Sequence, residues 1–288
     1  MEALLAAYGG SAYSSDSDSS PSTPPSSISL PKTSIDEEEE SITLPPPPLD
    51  LLNPPNSLDY YVQEGQGSRV RSFPHVEGNY ALHVYIPVCI PPSSKNEVAQ
   101  FIKRVANLVP GLHVVDIDMP LDVLCKEEQK LEHALGRTFH ISLGRTVPIR
   151  LHQIDSIVSM FRKKLLSKRR YLMDFRKWVV FVNDEGTRTF LSMEITSSGL
   201  AEIRKQISVV NEIYRLHSLP EFYKDPRPHI SLAWAVGDVS HLLRQAIQDV
   251  SCSNGTSSSK NIFSSTFNGI ECKIGKKTYE ICKSSKTS

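Results

Sequence analysis

The tetrapeptide His-Ile-Ser-Leu occurs twice in this chain, at 140–143 and 229–232, with its histidines 89 residues apart. Each copy lies in a short apolar run with the length of a strand, Thr138–Leu143 and Pro228–Ala235, and each is followed by a segment of helical periodicity. Two like strands in two like halves restrict the fold: the order predicts two α+β lobes, each supplying one such strand. In a strand, residues i and i+2 point to the same face. His140 and Ser142 therefore project together, as do His229 and Ser231, while Ile141 and Ile230 point into a core.

That pairing suits phosphodiester chemistry without a metal. A neutral imidazole can take the proton of an attacking hydroxyl and a protonated one can supply the leaving oxygen, and a pKa near ~6.5 lets both forms exist near neutrality. Each such transfer contributes about 10²–10⁴-fold. The serine hydroxyls can donate to the non-bridging phosphate oxygens as charge builds there. In RNA the nucleophile can be the substrate's own 2′-hydroxyl, so proximity supplies much of the rate. A single His-x-Ser is a weak signal, and polar residues on a solvated strand face would also produce one. Two identical tetrapeptides on predicted strands of similar halves are a stronger one.

The rest of the pattern is consistent with two lobes. Ala81–Val88 and Leu112–Ile117 read as strands, and Asn96–Leu108 and Ile154–Leu166 as amphipathic helices. Trp178–Val182 and Thr187–Ile195 read as strands joined by a turn at Asn183–Gly186. Ala201–Leu216 and His241–Val250 read as helices, and Ile262–Ile281 as a hairpin turning near Gly275. Residues 1–66 differ in kind. They are rich in Ser and Pro and carry eleven acidic side chains against one basic, Lys32, and so read as a disordered tail. The formal charge of the whole chain is zero, so residues 67–288, the expected phosphodiesterase domain, are net +10. A basic domain fits a polyanionic partner.

Five cysteines stand singly, with no Cys-x-x-Cys pair. The spacing argues against a zinc site built on paired thiolates and against a disulfide framework, and it suits a reducing compartment. The N-terminal residues lack a basic n-region, and no stretch reaches the roughly 20 apolar residues of a membrane span. A soluble, intracellular protein is expected.

Further blocks carry a more specific signal: Arg69–His75, Gly78–Tyr80, His83–Tyr85, Thr187–Phe190, and Phe222–Pro226 running on to His229–Trp234. With them the chain resembles the 2H phosphoesterase superfamily and, within it, the family of U6 small nuclear RNA 3′-end phosphodiesterases. The resemblance runs from about Arg69 to the C-terminus and does not touch the tail. It implies a bilobal α+β fold of two antiparallel-sheet lobes with helices, related by a pseudo-twofold axis, both His-x-Ser motifs facing one groove. It implies a metal-independent 3′→5′ exoribonuclease, with no cofactor, that trims the oligouridine end of U6 RNA and leaves a 2′,3′-cyclic phosphate. Whether the ring is then opened to a 3′-phosphate stays open. A nuclear monomer with no membrane association is implied.

Carried over by residue, His140 and His229 match the catalytic histidines and Ser142 and Ser231 the phosphate-binding serines. Tyr223 matches the aromatic that stacks on the terminal base, an interaction that contributes about 1–3 kcal/mol and tolerates different bases. Arg227 and Pro228 are expected to line the same groove. Asn183 matches the family's turn, but Asp184 stands where an amide is expected. A carboxylate repels phosphate, so Asp184 should point away or contact a base.

Other features have plainer readings. Arg162–Lys164 and Lys168–Arg170 fit a nuclear-localisation patch, a contact to RNA phosphates, or a solvated helix end whose charges suit the helix dipole. His75 and His83 lack a serine two residues on and read as structural or hydrogen-bonded. His113, His133, His152, His217 and His241 show no ligand spacing. Trp178 and Trp234 read as packing the lobes together rather than binding a base. Two other functions fit the motifs: a related 2H activity on small cyclic nucleotide phosphates, and a catalytically silent RNA-binding module.

Overall fold

The computed structural model describes residues 76–115, 119–126, 128–166, 170–253 and 261–283. The acidic segment 1–66, His75, and Lys168 and Arg169 of the second basic cluster lie outside them.

The elements run β1 (Asn79–Cys89), α1 (Pro92–Leu108), β2 (His113–Val114), α2 (Leu121–Leu124), α3 (Glu128–Leu135), β3 (Thr138–Ser142), β4 (Val147–Arg150) and α4 (Ile154–Lys164). They continue with β5 (Leu172–Val182), β6 (Arg188–Ile195), α5 (Leu200–Leu216), β7 (His229–Val236), α6 (Ser240–Ser253), β8 (Phe263–Thr266), β9 (Gly269–Ile274) and β10 (Lys277–Lys283). The strands form two five-stranded sheets. One has the order β10-β9-β1-β3, with β4 also paired to β1, and the other the order β2-β7-β6-β5-β8. All their pairings are antiparallel.

Two α+β lobes with one His-Ile-Ser strand each are therefore present, but they are not the two halves of the sequence. Strand β2, from the first half, pairs with β7 in the second sheet. The last three strands divide: β8 pairs with β5 in the second sheet, whereas β9 and β10 complete the first. The segment read as one C-terminal hairpin is thus a strand of the second sheet followed by a hairpin that crosses to the first, turned at Gly275 (φ 57°). Periodicity reports which face of a strand is apolar, not which neighbour it meets, so the exchange left no trace in the pattern. Helices interleave too. Helix α1 packs beside α6, which lies on β5, while α4 packs beside α5 and on β10.

Helix α1 takes its face from Val98, Phe101, Ile102 and Val105, all buried. Its Phe101 stacks on Trp178 of β5 at 4.1 Å with 7° between the rings, so Trp178 ties a first-half helix to the second sheet. Strand β3 alternates as its sequence requires: Phe139 and Ile141 are buried, His140 and Ser142 only partly. Strand β7 repeats this, with Ile230 and Leu232 buried beside partly exposed His229 and Ser231. Of the strand expected at Leu112–Ile117 the structure describes His113–Val114, residues 116 and 117 lying outside the described ones. Two short helices not assigned from the sequence follow before β3. Leu121, Leu124, Leu131 and Leu135 are buried there, a spacing too irregular to read as one helix. All five cysteines are free, and no described helix is long and apolar enough to cross a membrane.

Candidate active site

Strands β3 and β7 lie against each other across the lobes, which brings the two His-Ile-Ser motifs to the floor of one groove of about 840 Å³. Its lining includes His140, Ser142, His229 and Ser231, with Tyr223 and Arg227 on its walls. Pro228 does not line it. The residue is buried, and its carbonyl accepts the Ile195 amide at 3.0 Å. The reason is parity: 227, 229 and 231 face the groove, so 228 shares the core side with Ile230.

His229 is fixed from two sides. Its Nδ1–H donates to the Arg227 carbonyl at 2.7 Å, which can only accept, so in the neutral ring the lone pair sits on Nε2. Phe181 of β5 stacks on the imidazole at 3.9 Å and 20°. The Arg227 guanidinium lies over the same Phe181 ring at 4.8 Å and is held by two bonds to Glu194, of 2.7 and 2.8 Å. Desolvation pulls the His229 pKa below its ordinary value, against the Arg227 carbonyl and the Glu194 charge, which raise it; nearby His140 and Arg227 add to the lowering. His229 is accordingly held as a neutral ring to lower pH than a free histidine. Glu194→Gln removes one charge that favours the imidazolium and leaves Arg227 less neutralised. The His229 ring should then titrate at still lower pH, read from imidazole resonances in an NMR titration; an upward shift would contradict this balance.

On the other lobe His140 packs its edge against two aromatic rings of β1, His83 at 4.9 Å and Tyr85 at 5.7 Å. His83 Nε2 and Ser142 Oγ are hydrogen-bonded at 3.0 Å. Tyr85 donates its hydroxyl to Glu271 at 2.9 Å. Across the pseudo-twofold, Ser231 Oγ pairs at 3.0 Å with the fully buried Ser192 of β6. His83 is hydrogen-bonded as expected, and it does so directly beside His140.

Tyr223 sits in the loop after α5, partly exposed on the groove wall. The Arg145 guanidinium covers its ring at 4.2 Å from the centroid. Asp184 joins the two: one oxygen takes the Tyr223 hydroxyl at 3.1 Å and the other pairs with Arg145 at 2.6 Å. Asp184 thus lines the groove and braces Tyr223, its charge met by Arg145. Asn183 closes the β5–β6 turn as expected, its Oδ1 accepting the Arg188 amide at 2.8 Å. Trp234 packs in the core and also borders the groove, stacked on His113 at 5.0 Å and covered by Arg188 at 4.8 Å.

Arg145, Phe181, Glu194 and Ser192 were not read from the sequence. Arg145 follows the first tetrapeptide by two residues, a proximity that could have flagged it. The others depend on strand register, which the sequence does not print. Among the described residues no three of His, Cys, Asp and Glu converge as metal ligands. Arg162–Lys164 form the exposed last turn of α4, with Arg162 donating to the Glu280 carbonyl and Lys164 paired with Glu212.

Two antiparallel-sheet lobes that meet at paired His-x-Ser strands define a two-histidine phosphoesterase. A family model described as HVSL, uncharacterised conserved protein, matches residues 45–282. U6 snRNA phosphodiesterase 1 of Mus musculus is 31% identical over 217 residues, 75% of this chain and 73% of that protein. U6 snRNA phosphodiesterase 1 of Xenopus laevis is 30% identical over 269 residues, 88% of this chain and 98% of that protein. The solved structure of Kluyveromyces marxianus Usb1 aligns with 70% of this chain and 97% of its own, at 12% identity and a TM-score of 0.49. The chain belongs to the U6 snRNA phosphodiesterase 1 family.

Proposed function

We propose that this protein is an RNA phosphodiesterase that removes nucleosides from the 3′ end of U6 small nuclear RNA, using His229 as base and His140 as acid. The observation that carries the reading is the meeting of both His-Ile-Ser strands in one groove beside Tyr223. The terminal base stacks against Tyr223, which places the last phosphate over the serines. The 2′-hydroxyl of the penultimate nucleoside attacks phosphorus while His229 Nε2, neutral and bearing a lone pair, accepts its proton. The new 2′-oxygen–phosphorus bond forms as the bond to the terminal 5′-oxygen breaks, and His140 protonates that oxygen. Ser142 and Ser231 donate to the non-bridging oxygens. The first turnover leaves a 2′,3′-cyclic phosphate on the RNA and frees a nucleoside, each later turnover frees a nucleoside 2′,3′-cyclic phosphate, and no step calls for a metal. Opening of the ring would reuse the same pair with roles reversed.

A uridine-rich end suits a platform that stacks on any base and an otherwise single-stranded substrate. The protein acts as a monomer in the nucleus, where the exposed Arg162–Lys164 turn serves import or holds RNA phosphates. The test is full-length protein with uridine-tailed RNA in excess chelator, the new ends analysed by mass spectrometry. Stepwise 3′ shortening to cyclic-phosphate ends is expected. Tight binding without product would instead indicate a silent RNA-binding module, and turnover of only a cyclic mononucleotide the related small-substrate activity.

A further inference from the structure

The two lobes treat their phosphate-facing serines differently. Ser231 is backed by another serine, Ser192, which is fully buried. Ser142 is backed by an imidazole, His83, through Nε2 at 3.0 Å. His83 stands one strand over on β1, its ring 4.9 Å from that of His140 and 5.0 Å from that of Tyr85. Lys273 is its cross-strand partner on β9, and Glu271, the neighbour of Tyr85, takes the tyrosine hydroxyl. We propose that His83 is a positioning residue: it donates its Nε2–H to Ser142 and so commits the serine's only proton to the phosphate.

A serine hydroxyl has one hydrogen to give and can accept as well. If Ser142 gave that hydrogen to His83, it could present only lone pairs to a phosphate oxygen, which is repulsive. The hydrogen is free for the phosphate only when His83 is the donor, in its Nε2–H tautomer. A doubly protonated His83 would add a second cation against His140 and Lys273, and burial opposes it. Desolvation first, then those two charges, lower its pKa to about 3, so His83 stays a neutral, single-proton ring throughout the working range. His83 therefore exchanges no proton with the reaction. Its part is to decide which way the serine points.

This inference rests on the phosphodiesterase reading, and the experiment separates the two. Wild type, His83→Leu and His83→Gln are assayed on uridine-tailed RNA and on its Rp and Sp phosphorothioates at the scissile linkage, with thermal melts of each variant. The Gln carboxamide can put an N–H near the place of Nε2; Leu cannot. His83→Leu should lose about tenfold in kcat, the order of one hydrogen bond, with KM little changed, and His83→Gln should recover most of it. The wild type should be slowed more by sulfur at the oxygen that Ser142 contacts than at the other. In His83→Leu that difference should shrink, because the contact it reports is already weakened. Equal slowing of all three substrates by His83→Leu, with Gln no better than Leu, would overturn the assignment and make His83 a packing residue. Failure of the wild type to cut the all-oxygen RNA would instead remove the phosphodiesterase reading itself.

Discussion

Alanine at either His140 or His229 should lower single-turnover trimming by about 10²–10⁴-fold, the usual worth of one positioned acid or base. The double variant should lose far less than the product of the two, because base and acid act on one concerted transfer. The two single variants should differ in their pH profiles. His229 is the ring with its Nδ1–H committed to a carbonyl and its charged form disfavoured by burial. In the proposed role of base it must be unprotonated, so the acid limb of the wild-type rate should be its own and should fall below the ordinary histidine value near 6.5. His229→Ala should abolish that limb, whereas His140→Ala should preserve it and flatten the alkaline one. Undiminished trimming by either variant would refute the pair, and loss of the acid limb in His140→Ala would reverse the roles.

A single 2′-deoxy sugar at the penultimate position should make the RNA inert, while the same change on the terminal nucleotide should be tolerated. In the proposed reaction the attacking hydroxyl belongs to the penultimate ribose, and tethering a nucleophile beside its target is equivalent to about 10⁵–10⁸ M of it in solution. The serines of the groove floor are held by His83 and Ser192, and in the proposed reaction they serve the phosphate rather than replace that oxygen. The measurement is a gel or mass assay with each substituted oligonucleotide beside its all-ribose control. Cleavage of the penultimate 2′-deoxy substrate would mean that water attacks, and would place a different oxygen at His229.

The limits of sequence reading here follow strand physics. Parity along a strand is local, so His140 with Ser142 and His229 with Ser231 were legible as outward pairs over Ile141 and Ile230. The Asn183–Gly186 turn was legible for the same reason, since its Asn closes the turn within five residues. Pro228 was misplaced only because parity was not carried one residue back from His229. Register is not local. Ser192 meets Ser231 through the β6–β7 pairing, and His83 meets Ser142 from a strand some 60 residues earlier. Asp184 and Arg145, 39 residues apart, brace Tyr223 through loop closure that no periodicity encodes.

The repeated His-Ile-Ser-Leu by itself determined that two strands would each offer an imidazole and a hydroxyl on one face, because alternation is a property of the single extended chain. It also determined a basic folded part set apart from an acidic segment. Only the tertiary structure decided that the lobes exchange β2, β9 and β10 across the halves, that β3 and β7 abut, and that the two histidines differ. His229 has its tautomer fixed by the Arg227 carbonyl and its charge opposed by burial, whereas His140 lies edge-on to His83 and Tyr85. Those distinctions arise from what each ring packs against, and packing partners are set by long-range closure.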